Sequence, residues 1–463
     1  MLYTKNPFMY KIKLTGFLLL LFVTATAQPR LPKDYYWSKL SNGLEVVVIE
    51  NKKVPLATIE IAVKNGAYTE GPEYSGLSHL FEHMFFKANK DYPDQEKFIR
   101  RTQELGAIWN GTTGDERVNY FFTFDKDSLD AGLRFMNVAM RFPIYRTEDM
   151  QKERPVVDGE FQRGESDPQG LLWLACGKKI WGDLFTRKNP IGEHNIINTA
   201  TPEKMMIIKD KYYHPNNSLL IICGDVDHEN AFALANKIYG DWPNSGFDPH
   251  QKYPIPEFKP LAATEYFVKE SSIAQTPNLM YIWQGPDYRN DSAGTIAADV
   301  FNTVLGLNSS KWQQALVDKG LATYSFVSYQ TEKYVGPVYI FALPNPLKLK
   351  ECYEEIATQI KMWADDDYIT ADQLNTAKQI LRRNKIRQSE KPSSLPSQLS
   401  YQWCSTSFEY DLDYTDNCMK VTKEDIKQYV KKYILGKNYV AGIIINADMN
   451  KSTGASAFFK PNF

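Results

Sequence analysis

Residues 201–225 read TPEKMMIIKDKYYHPNNSLLIICGD, and residues 422–446 read TKEDIKQYVKKYILGKNYVAGIIIN. At one constant offset (422 − 201 = 221) they share Thr201/Thr422, Glu203/Glu424, Lys211/Lys432, Tyr212/Tyr433 and Asn217/Asn438. Each opens on Thr-x-Glu, a helix-start signal, because the Thr oxygen accepts from an otherwise unpaired N–H of the first turn. Each then passes through a turn into a short apolar run that reads as a buried strand. Between the two copies lies PNSGFDPHQKYPIPEFKP, residues 243–260, with five Pro and one Gly and no apolar period. Such a stretch reads as an extended linker. Five identities in register on either side of it point to an internal duplication.

The rest of the chain mixes strands with helices. Leu44–Glu50 and Leu56–Val63 read as a strand pair joined by the polar turn Asn51–Pro55, and Tyr120–Phe124 as a further strand. Residues 127–141, 346–365 and 371–388 carry a helical period. Adjacent strands with helices grouped between them predict an α+β fold of two homologous halves, each an antiparallel sheet packed with helices. The expected organisation is a leader at 1–27, an N-terminal half at 28–242, the linker at 243–260, and a C-terminal half without metal motif at 261–463.

Composition narrows the function. The 463 residues are 43% hydrophobic and 24% charged, which excludes a disordered chain. Lys and Arg number 54 against 55 Asp and Glu, so the basic excess of a nucleic-acid binder is missing. Residues 1–27 read as a secretory signal peptide, with Lys5, Lys11 and Lys13, then the apolar stretch Leu14–Val23, then Ala25-Thr26-Ala27. The apolar stretch falls short of the roughly 20 residues of a bilayer span, with an uncleaved anchor as the alternative. Cleavage leaves no membrane span and a net charge of 51 − 55 = −4. The absence of Arg from residues 1–27 speaks against a mitochondrial leader, so export to a bacterial periplasm is the expected destination. Cys176, Cys223, Cys352, Cys404 and Cys418 form no CxxC. Cys404 and Cys418 could bridge in an oxidising compartment; the alternative is small buried apolar side chains.

One motif carries chemistry. Residues 75–90, SGLSHLFEHMFFKANK, are helical by composition and contain His79-Leu80-Phe81-Glu82-His83. His79 and His83 are four apart and share one helix face, where two imidazoles can hold Zn²⁺ and leave positions open. Glu82 is placed to take a proton from water whose pKa the metal lowers. The order inverts the commoner HExxH, giving the inverzincin pattern. A third ligand must come from elsewhere. In TEDMQKERPVVDGEFQRGE, residues 147–165, Glu153 and Glu160 are seven apart on one helix face. Glu160 is the candidate ligand and Glu153 the candidate residue orienting a ligand from behind. On spacing alone, either Glu could equally belong to a solvated face.

From Leu40 to about Trp242 the chain resembles the pitrilysin/insulinase family of zinc peptidases, its mitochondrial processing peptidase type above all. LSNGLEVVVIENKKVP (40–55) resembles the family's first hairpin, and KYYHPNNSLLIICGDVD (211–227) the end of its first half. GAIWNGTTGDERVNYFF (106–122) resembles its substrate-side strand and places Asn110 and Gly111 where a peptide is held. LGLNSSKWQQALVDKGLATYSF (305–326) carries a fainter likeness into the second half. The family's HxxEH helix is followed about 75 residues on by a ligand Glu with another Glu seven before it; here 160 − 83 = 77 and 160 − 153 = 7. The resemblance implies zinc, one per chain, held by His79, His83 and Glu160, with Glu82 as base and Glu153 behind the ligands.

Two departures stand out. Pro155 and Gly159 interrupt the ligand helix, so it is expected to begin near Glu153, with Asp158 or Glu165 as substitutes for Glu160. The family's second half offers an Arg and a Tyr seven apart; here Tyr324 is present, but Val317 stands in the Arg position, with only Lys319 nearby. Tyr324 is the candidate for assisting at the carbonyl oxygen. The missing Arg implies a heterodimer with a homologous chain that lacks HxxEH and keeps the Arg/Tyr pair. The expected activity is zinc-dependent endopeptidase action on unfolded peptides in an enclosed chamber. The competing readings are a zinc-free structural subunit and an assembly subunit that binds zinc without cleaving.

Overall fold

A computed structural model describes residues 28–389, 394–461 and 463, so the leader read at residues 1–27 lies outside the described residues. The first sheet is built from β1 (Tyr35–Lys39), β2 (Glu45–Glu50), β3 (Leu56–Val63), β4 (Ile108–Thr113), β5 (Val118–Asp125) and β6 (Ser218–Gly224), in the order β1-β2-β6-β3-β5-β4. The second holds β7 (Glu265–Glu270), β8 (Asn278–Gln284), β9 (Ala322–Tyr329), β10 (Pro337–Pro344) and β11 (Val440–Ile445), in the order β7-β11-β8-β10-β9. Apart from β1 the two orders are the same, and both halves are mixed layers of sheet and helix. The 221-residue offset of the repeat runs on into the sheets: Leu220 of β6 pairs with Ile61 of β3, and Ala441 of β11 with Tyr281 of β8.

The expected pairing of β2 with β3 is corrected. β6 lies between them, parallel to β2 (Val47 opposite Ile221) and antiparallel to β3 (Ile59 opposite Ile222). The reason is burial: every residue of β6 is buried, so the strand has two apolar faces and belongs in a sheet centre. β11, likewise buried throughout, sits between β7 and β8.

Seven helices matter to the site and its support: α1 (Leu77–Phe85), α2 (Thr147–Glu165), α3 (Pro168–Trp181), α4 (Pro202–Tyr212), α5 (Ala371–Ser389), α6 (Leu395–Ser405) and α7 (Lys423–Tyr433). α4 and α7 are the repeated helices. Thr201 caps the first through the N–H of Lys204, and Thr422 caps the second through that of Asp425.

Alternation along the strands gives each sheet two faces. In the first sheet Val46, Val48, Ile59 and Ile61 pack with Leu80, Phe81 and Met84 of α1. The opposite face, Val47, Ile49, Leu219 and Ile221, is covered by Leu395, Leu399 and Trp403 of α6, which comes from the far end of the chain. The second sheet shows the reciprocal arrangement. Met280, Ile282, Val440 and Ile444 are covered by Leu172, Cys176, Ile180 and Trp181 of α3, from the first half of the sequence. Each half thus lends a helix to the other.

All five cysteines are free and buried. Cys404 packs against the first sheet and Cys418 in the core of the second, so they face different cores and are not bridged. The Pro-rich segment folds partly onto the first half: Pro249–Lys252 is a helical turn, and the His250 ring lies 5.6 Å from that of Tyr68. Residues 254–261 carry no regular structure.

The exchanged helix α6 is testable. Trp403 is buried on the first sheet and Lys64 Nζ lies 3.8 Å from its ring. Trp403→Ala is expected to destabilise the chain by about 3–5 kcal/mol, read as a lowered urea midpoint.

Candidate metal centre

The first core decides which face of α1 is free. Leu77, Leu80, Phe81, Met84 and Phe85 are buried against it, which turns His79 and His83 the other way. The helix has Gly76 at its N-cap, in the left-handed region (φ 83°), and no capping side chain there. Glu70 caps it instead, accepting from the N–H groups of Gly76 (2.7 Å) and Ser78 (2.6 Å). A carboxylate suits the positive end of a helix.

α2 supplies the third donor. It starts at Thr147, not near Glu153 as expected, and runs through Pro155 to Glu165. Glu148 and Asp149 favour its first turn, and fully buried Met150 anchors it, which outweighs the hydrogen bond lost at Pro155. The helix brings Glu160 Oε2 to 3.5 Å from His79 Nε2 and 3.7 Å from His83 Nε2, and the two imidazole nitrogens lie 3.3 Å apart. A tetrahedral Zn²⁺ with bonds of about 2.0–2.1 Å separates its ligand atoms by about 3.4 Å. The three donors therefore fit the ion in chemistry and in spacing. The substitutes, Asp158 and Glu165, both turn to His194 instead, the latter at 3.3 Å.

Behind the ligands, Glu153 accepts from His83 Nδ1 at 2.8 Å and pairs with Lys87 Nζ at 2.5 Å. This fixes the His83 ring with Nε2 toward the other donors. Lys87, one turn beyond His83 on the same face, was missed in the sequence; its i+4 spacing was the available signal.

Glu82 lies against the edge strand β4. Thr113 Oγ1 donates to Glu82 Oε2 at 3.2 Å. A Cβ on Gly111 would stand 2.8 Å from both Cγ and Oε1 of Glu82. Gly111, expected to hold peptide, is thus the point where the strand backbone closes on Glu82. Thr113 also escaped the sequence reading, although it shares the Gly111 face of the strand. Asn110 is exposed on the same strand. His79, Glu82, His83, Asn110, Gly111, Glu153 and Glu160 all line one cleft; Tyr324 does not, and stands 53% exposed on β9.

Electrostatics differ from group to group. Burial, helped by the charge of His83, pulls the His79 pKa down to about 4. Burial opposes the charged form of His83 too, but the carboxylates of Glu153, Glu82 and Glu160 outweigh it and raise its pKa. Burial pushes Glu82 up to about 7 against the pull of His83 and Thr113. A second cluster, Glu50, Asp227 and His228, also gathers three donors within 4.8 Å. There His228 Nδ1 is tied to Glu50 at 2.7 Å and its ring is stacked on Tyr36.

Residues 45–181 match the insulinase family (peptidase family M16), and residues 199–381 match the peptidase M16 inactive domain. The chain belongs to the insulinase family, peptidase family M16. The zinc protease PqqE of Helicobacter pylori is 24% identical over 416 residues, covering 88% of this chain and 91% of that protein. An uncharacterized zinc protease of Rickettsia felis is 25% identical over 365 residues, 78% of this chain and 85% of the other. Among solved structures, a protease from Helicobacter pylori superposes with a TM-score of 0.80 at 21% identity, covering 89% of this chain and 99% of that one. The periplasmic protease PqqL of Escherichia coli superposes with a TM-score of 0.73 at 15% identity, covering 92% of this chain but 49% of that one.

Two outcomes are expected. Zinc affinity falls as pH falls through the raised pKa of His83, because the ring must lose its proton to bind; His79, already neutral, adds little. Zinc titrations between about pH 5 and 8 read this directly. Gly111→Ala displaces Glu82 and lowers peptide turnover while metal analysis still finds zinc.

Proposed function

We propose that the chain is a zinc endopeptidase acting on unstructured peptides and that it forms the zinc-bearing member of a pair of homologous chains. The observation that carries the reading is the convergence of His79 Nε2, His83 Nε2 and Glu160 Oε2 beside the carboxyl of Glu82. The likeness to proteins named zinc proteases supports it.

His79, His83 and Glu160 would hold one Zn²⁺. Bound there, zinc supplies Lewis-acid polarisation of a peptide carbonyl and lowers the pKa of water. Glu82 accepts the proton of the attacking water and delivers it to the leaving amine. Its raised pKa, about 7, suits a group that must both take and give a proton near neutrality. Glu153 and Lys87 hold His83 in place. The peptide adds as a strand to β4, which pairs only with β5 and leaves its other edge open beside Asn110 and Gly111. Main-chain pairing of this kind accepts many sequences but requires extended substrate.

Tyr324 lies outside the cleft and Val317 replaces the expected Arg, so we assign help at the carbonyl oxygen to a second, homologous chain that keeps the Arg/Tyr pair. That the PqqL chain extends to about twice the matched length supports such a pairing, there within one polypeptide. The pattern of residues 1–27 and the periplasmic description of PqqL support export to a periplasm. Val317 also favours a second reading, a subunit that binds zinc without cleaving.

The test is cleavage of a quenched, unstructured peptide. Wild type is expected to cleave, alone or with its homologous partner, and Glu82→Gln to keep its zinc while losing about 10²–10⁴-fold in rate. Zinc-loaded wild type that stays inert with its partner present would leave the non-cleaving reading standing.

A further inference from the structure

The turn between β4 and β5, Gly114–Arg117, is gripped from both halves of the chain. From the first half, the N–H groups of Ala67 and Tyr68 donate to the carbonyls of Gly114 (3.2 Å) and Asp115 (2.9 Å). From the second half comes the loop between β9 and β10. Its Lys333 and Tyr334 N–H groups donate to the two oxygens of Glu116, each at 2.9 Å. Glu116 is 3% exposed. Beside it, buried Lys188 pairs with buried Glu332 of the same loop and donates to the Tyr334 carbonyl at 2.6 Å. Arg117 donates to Ser400 Oγ of the exchanged helix α6 at 2.8 Å.

β4 needs such a grip. As an edge strand it is held along one side only, and edge strands open more readily than central ones. Yet Thr113, the residue just before the turn, must stay within hydrogen-bond reach of Glu82. A buried carboxylate receiving two main-chain N–H groups is a strong and directional tie. Releasing either donor leaves a buried polar group unpaired, which resists slippage of the turn.

We infer that Glu116 is a positioning residue for peptide hydrolysis. By tying the β4–β5 turn to residues 333–334 it holds Thr113 on Glu82, so the half without the metal motif sets the placement of the base. The inference rests on the role proposed for Glu82, and the experiment separates the two.

The zinc-loaded chain is compared as wild type, Glu116→Gln, Thr113→Val and the double variant. Gln keeps the size but presents an amide N–H₂ to one backbone N–H, so one tie is lost. Glu116→Gln is expected to lower kcat about tenfold with zinc content unchanged. The double variant is expected to lose no more than the worse single variant, since both act through one contact. Losses that multiply would overturn the inference. Hydrogen exchange gives a readout that does not depend on activity: amides of residues 108–114 exchange faster in Glu116→Gln while those of β6 stay protected. Unchanged exchange in β4 overturns the inference even if wild type cleaves nothing, a result that would count against the role of Glu82. Should Glu116→Gln fail to fold, Glu116→Asp, which keeps the charge but is one methylene shorter, is expected to show the same effects in smaller size.

Discussion

A sheet whose central strand is apolar on both faces must be covered on both, and this demand organises the chain. β6 and β11 are buried along their whole length. The repeat brings helices to one face of each sheet. The other face takes a helix from the opposite half: α6 on the first sheet and α3 on the second. The halves therefore share their cores. The polar ties between them, Lys188 with Glu332 and Arg117 with Ser400, form within an interface that apolar burial has already closed.

The candidate metal centre depends on the same packing at closer range. α1 is set against β4 so tightly that only a glycine fits at position 111. That approach takes Glu82 out of water and accounts for its raised pKa, while Thr113 keeps a donor on the carboxyl. Two imidazoles from one helix and a carboxylate from another then meet at distances suited to one small cation. The buried carboxylates of Glu70 and Glu153 serve the same helix from two sides, one at its first turn and one behind His83.

Much of this was legible in the sequence because it is local. The repeat showed in five identities, the imidazole pair in a spacing of four, and Glu160 and Glu153 in a spacing of seven. What was not legible depends on distant chain. Alternation shows that Val47 and Ile49 face an apolar surface but not that residues 395–403 supply it. The turn Asn51–Pro55 looked like a hairpin because nothing local reveals that β6, some 160 residues later, enters the gap. Pro155 suggested a later helix start, because the buried anchor at Met150 shows only in the folded chain. Asp158 and Glu165 stood as substitutes for Glu160 until His194 proved to hold them.

The exchanged helices also bear on how the chain is made. Synthesis runs from the N-terminus, so the first sheet can assemble once residue 224 has emerged, but its outer face stays bare until residues 395–405 follow. α3 waits in the same way, made early and without its sheet until β11 arrives at residues 440–445. Contacts that close loops of this length form late and slowly. A nascent or newly translocated chain therefore passes through a stage in which two apolar surfaces are open at once. That stage, more than the finished fold, is where chaperone capture, aggregation and the success of recombinant production are decided.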